Sequence, residues 1–269
     1  MKIAFIGAGV MAEAILSGII THGSAKPNDI TASDISQDRL TELETRYGIQ
    51  CISNNPEAIK GKDIVVLSVK PQIFSQVADG LNGKLEPGQL ILSIMAGTRI
   101  DTINMLLTHH SIVRVMPNTP AQIGEGISVW TATDSVRQPQ KDMVQSVLAA
   151  LGKEIYVAEE KYIDMATAVS GSGPAYVFMI TESLIDAGVH IGLPHSTASE
   201  LVMQTMLGSI LFAQGSGKHL AELRDMVTSP GGTTAEGLLK LEDGGLRTVL
   251  TQAVVAAYEK AQSLGKEQK

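Results

Sequence analysis

Ile3-Ala4-Phe5-Ile6 runs straight into Gly7-Ala8-Gly9-Val10-Met11-Ala12, and this junction limits what the chain can fold into more than anything after it. An apolar strand, a G-x-G-x-x-A turn and a helix start together form the first corner of a βαβ unit. The first glycine permits the tight turn, and the second lets backbone approach a pyrophosphate. Ala12, in the third position, keeps helix and strand close. Amides at the helix start would face the phosphates, where the helix dipole favours negative charge. A glycine-rich turn alone is common; its place at the head of a βαβ unit points to a dinucleotide.

The following residues sustain that reading. Strands are expected at 2–6, 30–33, 63–69, 89–95, 111–116, 127–131 and 154–157. Several are continuous apolar runs, such as Ile64-Val65-Val66-Leu67, which belong in a parallel sheet covered on both faces. Helices fit between them at 10–20, 37–47, 72–79, 100–107 and 135–151. After about residue 160 the strand signal stops. Residues 175–187 are apolar on nearly all sides, marking a helix buried in a core or an interface. Pro174 suits its first turn, and Pro194 opens a second helix. Further helices are expected near 220–227, 234–241 and 246–264, with a frayed tail over 265–269. The fold class is therefore α/β: a doubly wound, Rossmann-type parallel sheet over 1–160, then an all-helical domain over 161–269. The length of 269 residues, at about 150 per domain, agrees with two.

Composition closes off other classes. Lys and Arg number 21 against 28 Asp and Glu, a formal charge of −7, so the field for binding a nucleic-acid backbone is missing. A single cysteine, Cys51, forbids an internal disulfide framework or a cysteine zinc cluster, and the six histidines show no metal spacing. His109 and His110 read as a match to a helix C-terminal dipole, and Trp130 as a core or edge-strand residue. No basic leader precedes the first strand, and the uncharged stretch 165–181 is cut by Ser170-Gly171-Ser172-Gly173-Pro174. The expectation is a cytoplasmic protein with no membrane or nucleic-acid partner and no metal.

Candidate site residues lie at strand ends and in the helical half. Asp34, closing the second strand, can accept adenosine ribose hydroxyls and would repel a 2′-phosphate; Ser33, Ser36 and Arg39 could instead meet one. Charge favours NADH without closing out NADPH. Val69-Lys70-Pro71, Ala96-Gly97 and Met116-Pro117-Asn118-Thr119-Pro120 follow later strands, at the sheet edge where ligands of this fold bind. In the helical half, Ser229-Pro230-Gly231-Gly232 leads into Thr233-x-x-Glu236, a capping-box pattern. Its free amides could converge on a small carboxylate, or simply start a helix.

Taken together, these segments resemble the pyrroline-5-carboxylate reductases end to end. The specific matches are Ala168-Val169-Ser170-Gly171-Ser172-Gly173-Pro174-Ala175-Tyr176-Val177-Phe178 and Asp225-Met226-Val227-Thr228-Ser229-Pro230-Gly231-Gly232-Thr233-Thr234. Val69-Lys70-Pro71 and Asn118-Thr119-Pro120 add to them. The resemblance implies reduction of the small cyclic imine 1-pyrroline-5-carboxylate to L-proline with NADPH or NADH. It implies intertwined dimers that often assemble into decamers. It also implies that Gly7, Ala8, Gly9, Val10, Met11 and Ala12 hold the pyrophosphate. Asn55 and Val69, Lys70 and Pro71 would approach the adenosine and ribose side, and Ile94, Met95, Ala96 and Asn118 would lie near the cofactor. Ser229, Gly231, Gly232 and Thr233 would clasp the substrate carboxylate, and Thr234 would place its hydroxyl on the ring nitrogen. Where NADPH-preferring relatives often carry serine, this chain has Asp34. Dehydrogenases of β-hydroxyacids or prephenate share the layout but generally need a lysine or histidine early in the helical domain; residues 170–191 offer only His190. A nucleotide sensor without turnover is the non-enzyme alternative.

Overall fold

The computed structural model describes residues 1–266, and they form two compact units. The first comprises Met1–Ser172 together with the end of the last helix from Ala257; the second is Gly173–Ala256.

The first unit is built on eight strands: β1 Ile3–Ile6, β2 Ile30–Ser33, β3 Gln50–Ile52, β4 Ile64–Leu67, β5 Leu90–Ser93, β6 Ile112–Met116, β7 Gly126–Ala132 and β8 Gly152–Tyr156. Their order is β3-β2-β1-β4-β5-β6-β7-β8. All pairings are parallel except β6 with β7. The order in which strands are added reverses between β1 and β4, which opens a crevice beyond their carboxyl ends. Helices α1 Val10–Thr21, α2 Gln37–Tyr47, α3 Asn55–Ala58, α4 Phe74–Leu81, α5 Ile100–Leu107, α6 Gln138–Ala149 and α7 Lys161–Ala166 complete the unit.

Successive residues of a strand point to opposite faces, and the core divides accordingly. Ile3 and Phe5 join Ile15, Leu16, Leu40, Leu43, Val144 and Leu148 on the α1, α2 and α6 face. Ala4 and Ile6 join Phe74, Ala78, Leu81, Ile103 and Leu107 on the α4 and α5 face. The strands and most helices match expectation within a few residues. The differences have physical causes. Strand β7 runs antiparallel, and β3 and α3 are too short for a periodic signal. The expected helix at 135–151 is trimmed to α6, which starts after Val136 has been buried in the loop before it.

One further expectation fails. Helix α5 ends at Thr108, in the left-handed region at φ 51°, so the two histidines lie outside it. His109 is buried, its Nε2 bonded to Gln89 O at 2.8 Å, rather than meeting a helix dipole. Ahead of the next helix, Thr167–Gly171 forms a π-helical turn, closed by the Ser172 N–H donating to Thr167 O at 2.8 Å.

The second unit is helical: α8 Gly173–His190, α9 His195–Ser216, α10 Leu220–Met226, α11 Thr233–Asp243 and α12 Leu246–Lys266, the last continuing into the first unit. Of the expected frayed tail, Gly265 and Lys266 are helical, and 267–269 lie outside the described residues. Helices α8 and α9 pack together, with Gly188 admitting Ala198, yet each buries only one residue fully. Phe178, Met179, Leu201, Leu207, Ile210 and Phe212 stay more than half exposed in the single chain.

Candidate active site

The turn after β1 supplies the first half of the site. Gly7 adopts φ 94°, and a Cβ there would lie 2.8 Å from Ser68 O, so only glycine fits. Helix α1 starts at Gly9 without a side-chain cap, and its first backbone bond is Glu13 N–H to Gly9 O at 3.0 Å. The amides of Gly9, Val10, Met11 and Ala12 therefore precede the helical ladder. A Cβ at Gly9 would meet nothing within 4 Å, so the space before the turn is open. These residues fit a pyrophosphate. The Ala8 amide does not belong with them, because it donates to Asp34 Oδ2 at 2.7 Å.

Asp34 follows β2, and its Oδ1 accepts from Ser36 N–H at 2.9 Å. Both carboxylate oxygens take a backbone amide and keep a lone pair for a ribose hydroxyl. Ser33 is fully buried and donates its hydroxyl to Asn55 Oδ1 at 2.7 Å, so the donor anticipated for a 2′-phosphate is spent. Ser36 caps α2, its Oγ accepting from Arg39 N–H at 3.3 Å. Arg39 donates Nε–H to Ala8 O at 2.8 Å, pairs with Glu42 at 2.7 Å, and pairs with Glu13 through its other terminal nitrogen. Glu13 also accepts from Arg46 at 2.9 Å and from the Tyr47 hydroxyl at 2.8 Å. Burial would raise the Glu13 carboxyl, but hydrogen bonds from Arg39 and Tyr47 and the charges of Arg39 and Arg46 hold it below the ordinary value of 4.5.

A cavity of about 290 Å³ lies beyond the carboxyl ends of the strands. Met11, Val69, Lys70, Pro71, Ile94, Met95 and Ala96 line it, which brings together most of the sequence-derived cofactor residues. Ser68, Met116 and Pro117 also line it. Ser68 was missed; it donates to Gly7 O at 2.7 Å and so joins the phosphate turn to β4. The only signal for it was a small polar residue following an apolar strand. Asn118 does not line the cavity: its Oδ1 accepts from Ile127 N–H at 2.9 Å and fixes the turn between β6 and β7. Cys51, half-buried on β3, has its thiol pushed up to about 11 by burial and the charge of Glu44, as suits a bystander.

The second unit holds the other predicted segment. Ser229-Pro230-Gly231-Gly232 is a tight turn with Gly231 at φ 65°, closed by Gly232 N–H to Ser229 O at 3.0 Å. Helix α11 starts at Thr233 as expected, but Gly232 rather than Thr233 is its cap, and no side-chain capping bond forms. Its first backbone bond is Glu236 N–H to Gly232 O at 3.3 Å, so the Thr233, Thr234 and Ala235 amides precede the ladder. The Gly232 amide is occupied by the turn. Thr234 is half-buried and Thr233 exposed.

Comparison with known proteins gives the arrangement its family. Residues 160–264 match the family model for pyrroline-5-carboxylate reductase dimerisation, and residues 2–97 match that for NADP oxidoreductase, coenzyme F420-dependent. The pyrroline-5-carboxylate reductase of Arabidopsis thaliana is 39% identical over 98% of this chain and 95% of its own. That of Synechocystis is 38% identical over 99% of each. This chain belongs to the pyrroline-5-carboxylate reductase family. The solved Plasmodium falciparum pyrroline carboxylate reductase, with NADP bound, superimposes with a TM-score of 0.91 at 34% identity over 98% of both chains. The Coxiella burnetii member gives 0.89 at 37%. An Aquifex aeolicus prephenate dehydrogenase, at 14% identity and a TM-score of 0.55, shares the fold alone. The match of α7 to α12 to a dimerisation family accounts for the apolar faces that a single chain leaves open. Among the described residues no helix is long and apolar enough to cross a membrane, and no cluster of metal-ligating side chains occurs.

Proposed function

We propose that this chain reduces 1-pyrroline-5-carboxylate to L-proline, the last step of proline biosynthesis, using a nicotinamide dinucleotide. The observation that carries the reading is similarity to pyrroline-5-carboxylate reductases over essentially the whole of both chains, with both motif-bearing segments present.

The amides of Gly9, Val10, Met11 and Ala12 hold the pyrophosphate, with Gly7 and Ala8 shaping the turn. Asp34 takes the adenosine ribose, supported by Ser33 and Asn55. Val69, Lys70, Pro71, Ile94, Met95 and Ala96 line the nicotinamide half, with Asn118 stiffening the neighbouring loop. When bound, the dinucleotide supplies hydride to the imine carbon. On the substrate side, Ser229, Gly231 and Gly232 form the turn that presents the Thr233, Thr234 and Ala235 amides to the carboxylate, where the helix dipole adds about 0.3–1 kcal/mol. The Thr234 hydroxyl bonds the ring nitrogen. A threonine is too weak an acid to supply that nitrogen's proton, and the substrate turn over residues 229–235 carries no histidine or lysine, so the imine arrives protonated or takes its proton from water. Dimers associate into decameric rings, and the enzyme works in the cytoplasm, where its lone thiol stays reduced.

Following NADH or NADPH absorbance with the pyrroline substrate tests the reading. Substrate-dependent oxidation is expected; none with either dinucleotide would overturn it. If one titratable side chain proved indispensable for turnover with binding intact, the solvent-proton step would be wrong.

A further inference from the structure

Arg39 is the cation nearest the end of β2, where a ribose 2′-phosphate would lie in this fold. We infer instead that Arg39 is a positioning residue for the phosphate turn, acting through Ala8 and held in place by Glu13. The inference rests on reading the first unit as a dinucleotide site.

Two side chains grip Ala8 from the β2–α2 segment. Asp34 Oδ2 accepts its N–H at 2.7 Å, and Arg39 donates Nε–H to its C=O at 2.8 Å. The described backbone has no cis peptide, so the Gly9 N–H points away from the Ala8 carbonyl in the same rigid plane. Holding that carbonyl on the α2 side therefore turns the Gly9 amide to the opposite side. A released carbonyl would let the peptide rotate and carry the amide with it.

Each terminal nitrogen of the guanidinium already holds a carboxylate. One terminal nitrogen meets Glu42 at 2.7 Å, and the other meets Glu13, which Arg46 and Tyr47 fix in turn. The side chains of Arg39 and Glu13 are only 20% and 17% exposed. A phosphate would compete with two carboxylates for the guanidinium and would also meet Asp34. This arrangement suits a buttress and ill suits an anion site.

The pyrophosphate is common to NADH and NADPH, and this separates the two roles. Binding of each dinucleotide to the intact protein is measured by fluorescence titration without substrate. Arg39→Met is expected to weaken NADH and NADPH by the same factor, about tenfold, as loss of one charge-assisted bond implies. Their affinity ratio stays unchanged. At saturating dinucleotide, kcat stays within about twofold while KM for the dinucleotide rises with Kd, the signature of lost uniform binding. Glu13→Gln, which keeps its shape but loosens the guanidinium, gives a smaller uniform loss and carries the test should Arg39→Met fail to fold. Weakening confined to NADPH, or no change in either affinity, would overturn the inference. If the unsubstituted protein binds neither dinucleotide, the dinucleotide reading falls first and this inference with it.

Discussion

Asp34 does two jobs with one carboxylate. Its oxygens hold the Ala8 and Ser36 amides, and in the proposed complex its charge faces the ribose. Asp34→Ser should therefore raise the ratio of kcat/KM with NADPH to that with NADH, by relief of like-charge repulsion, while raising KM for both. An unaltered ratio would remove Asp34 from cofactor choice. Thr234→Ala should lower kcat/KM by roughly tenfold or more, since a buried polar contact is worth about 1–3 kcal/mol; unchanged kinetics in folded protein would exclude the hydroxyl. Glu13 sets a pH signature. Its folded carboxyl titrates below 4.5, so its stabilising contribution is complete above that value and is lost as pH falls through the lower folded one. The stability gap between the parent and Glu13→Gln, followed by urea denaturation, should hold above pH 4.5 and close below it. Ala8, Asp34 and Arg39 could each be picked from the sequence; that they grip one another could not, because they are 26 and 31 residues apart.

At the level of elements, Arg114 joins pieces that sequence patterning treats separately. It sits in β6, 1% exposed, and donates to Glu160 at 2.8 Å and to Asp164 of α7 at 2.7 Å. Glu160 also accepts the Ile100 N–H at the start of α5, at 2.8 Å. Arg114→Ala would leave the buried Asp164 without its cation and Glu160 with the Ile100 amide alone. It should cost about 3–5 kcal/mol, read as a lowered urea midpoint. A charge inside Ile112-Val113-Arg114-Val115-Met116 is visible in the sequence, but its partners lie more than forty residues on. Strands β1 and β4 were legible because burial on both faces leaves an unbroken apolar run, and β2, β5 and β6 because short β-branched or apolar runs stand between helical patterns. The reversal of β7 was not, since side-chain alternation is the same in either strand direction. The π-helical turn was hidden for another reason. Ser and Gly at 170–173 carry no periodic signal, while Gly171 leaves room for the Met116 side chain.

Across the whole molecule, the apolar sides of α8 and α9 exceed what a lone chain can cover. Phe178→Asp should yield monomers by light scattering, with the first unit's dinucleotide affinity retained; an unchanged mass would place the contact elsewhere. The sequence marked those helices as interface or core, and only their exposure in the folded chain separates the two. The strand signal ends near 160, but the first unit runs on to Ser172, because Arg114 of β6 holds Glu160 and Asp164 of α7. What that signal could not reveal is the return of α12, whose last turns rejoin the first unit and bring Leu264 and Gly265 against Gly97. A Cβ on Gly97 would stand 2.7 Å from that of Leu264, so the fit leaves no slack. During synthesis the ribosome thus releases the piece that closes over the β5–α5 loop only after every other part of the sheet has emerged. Until then the β5–α5 loop lacks the segment that packs on Gly97.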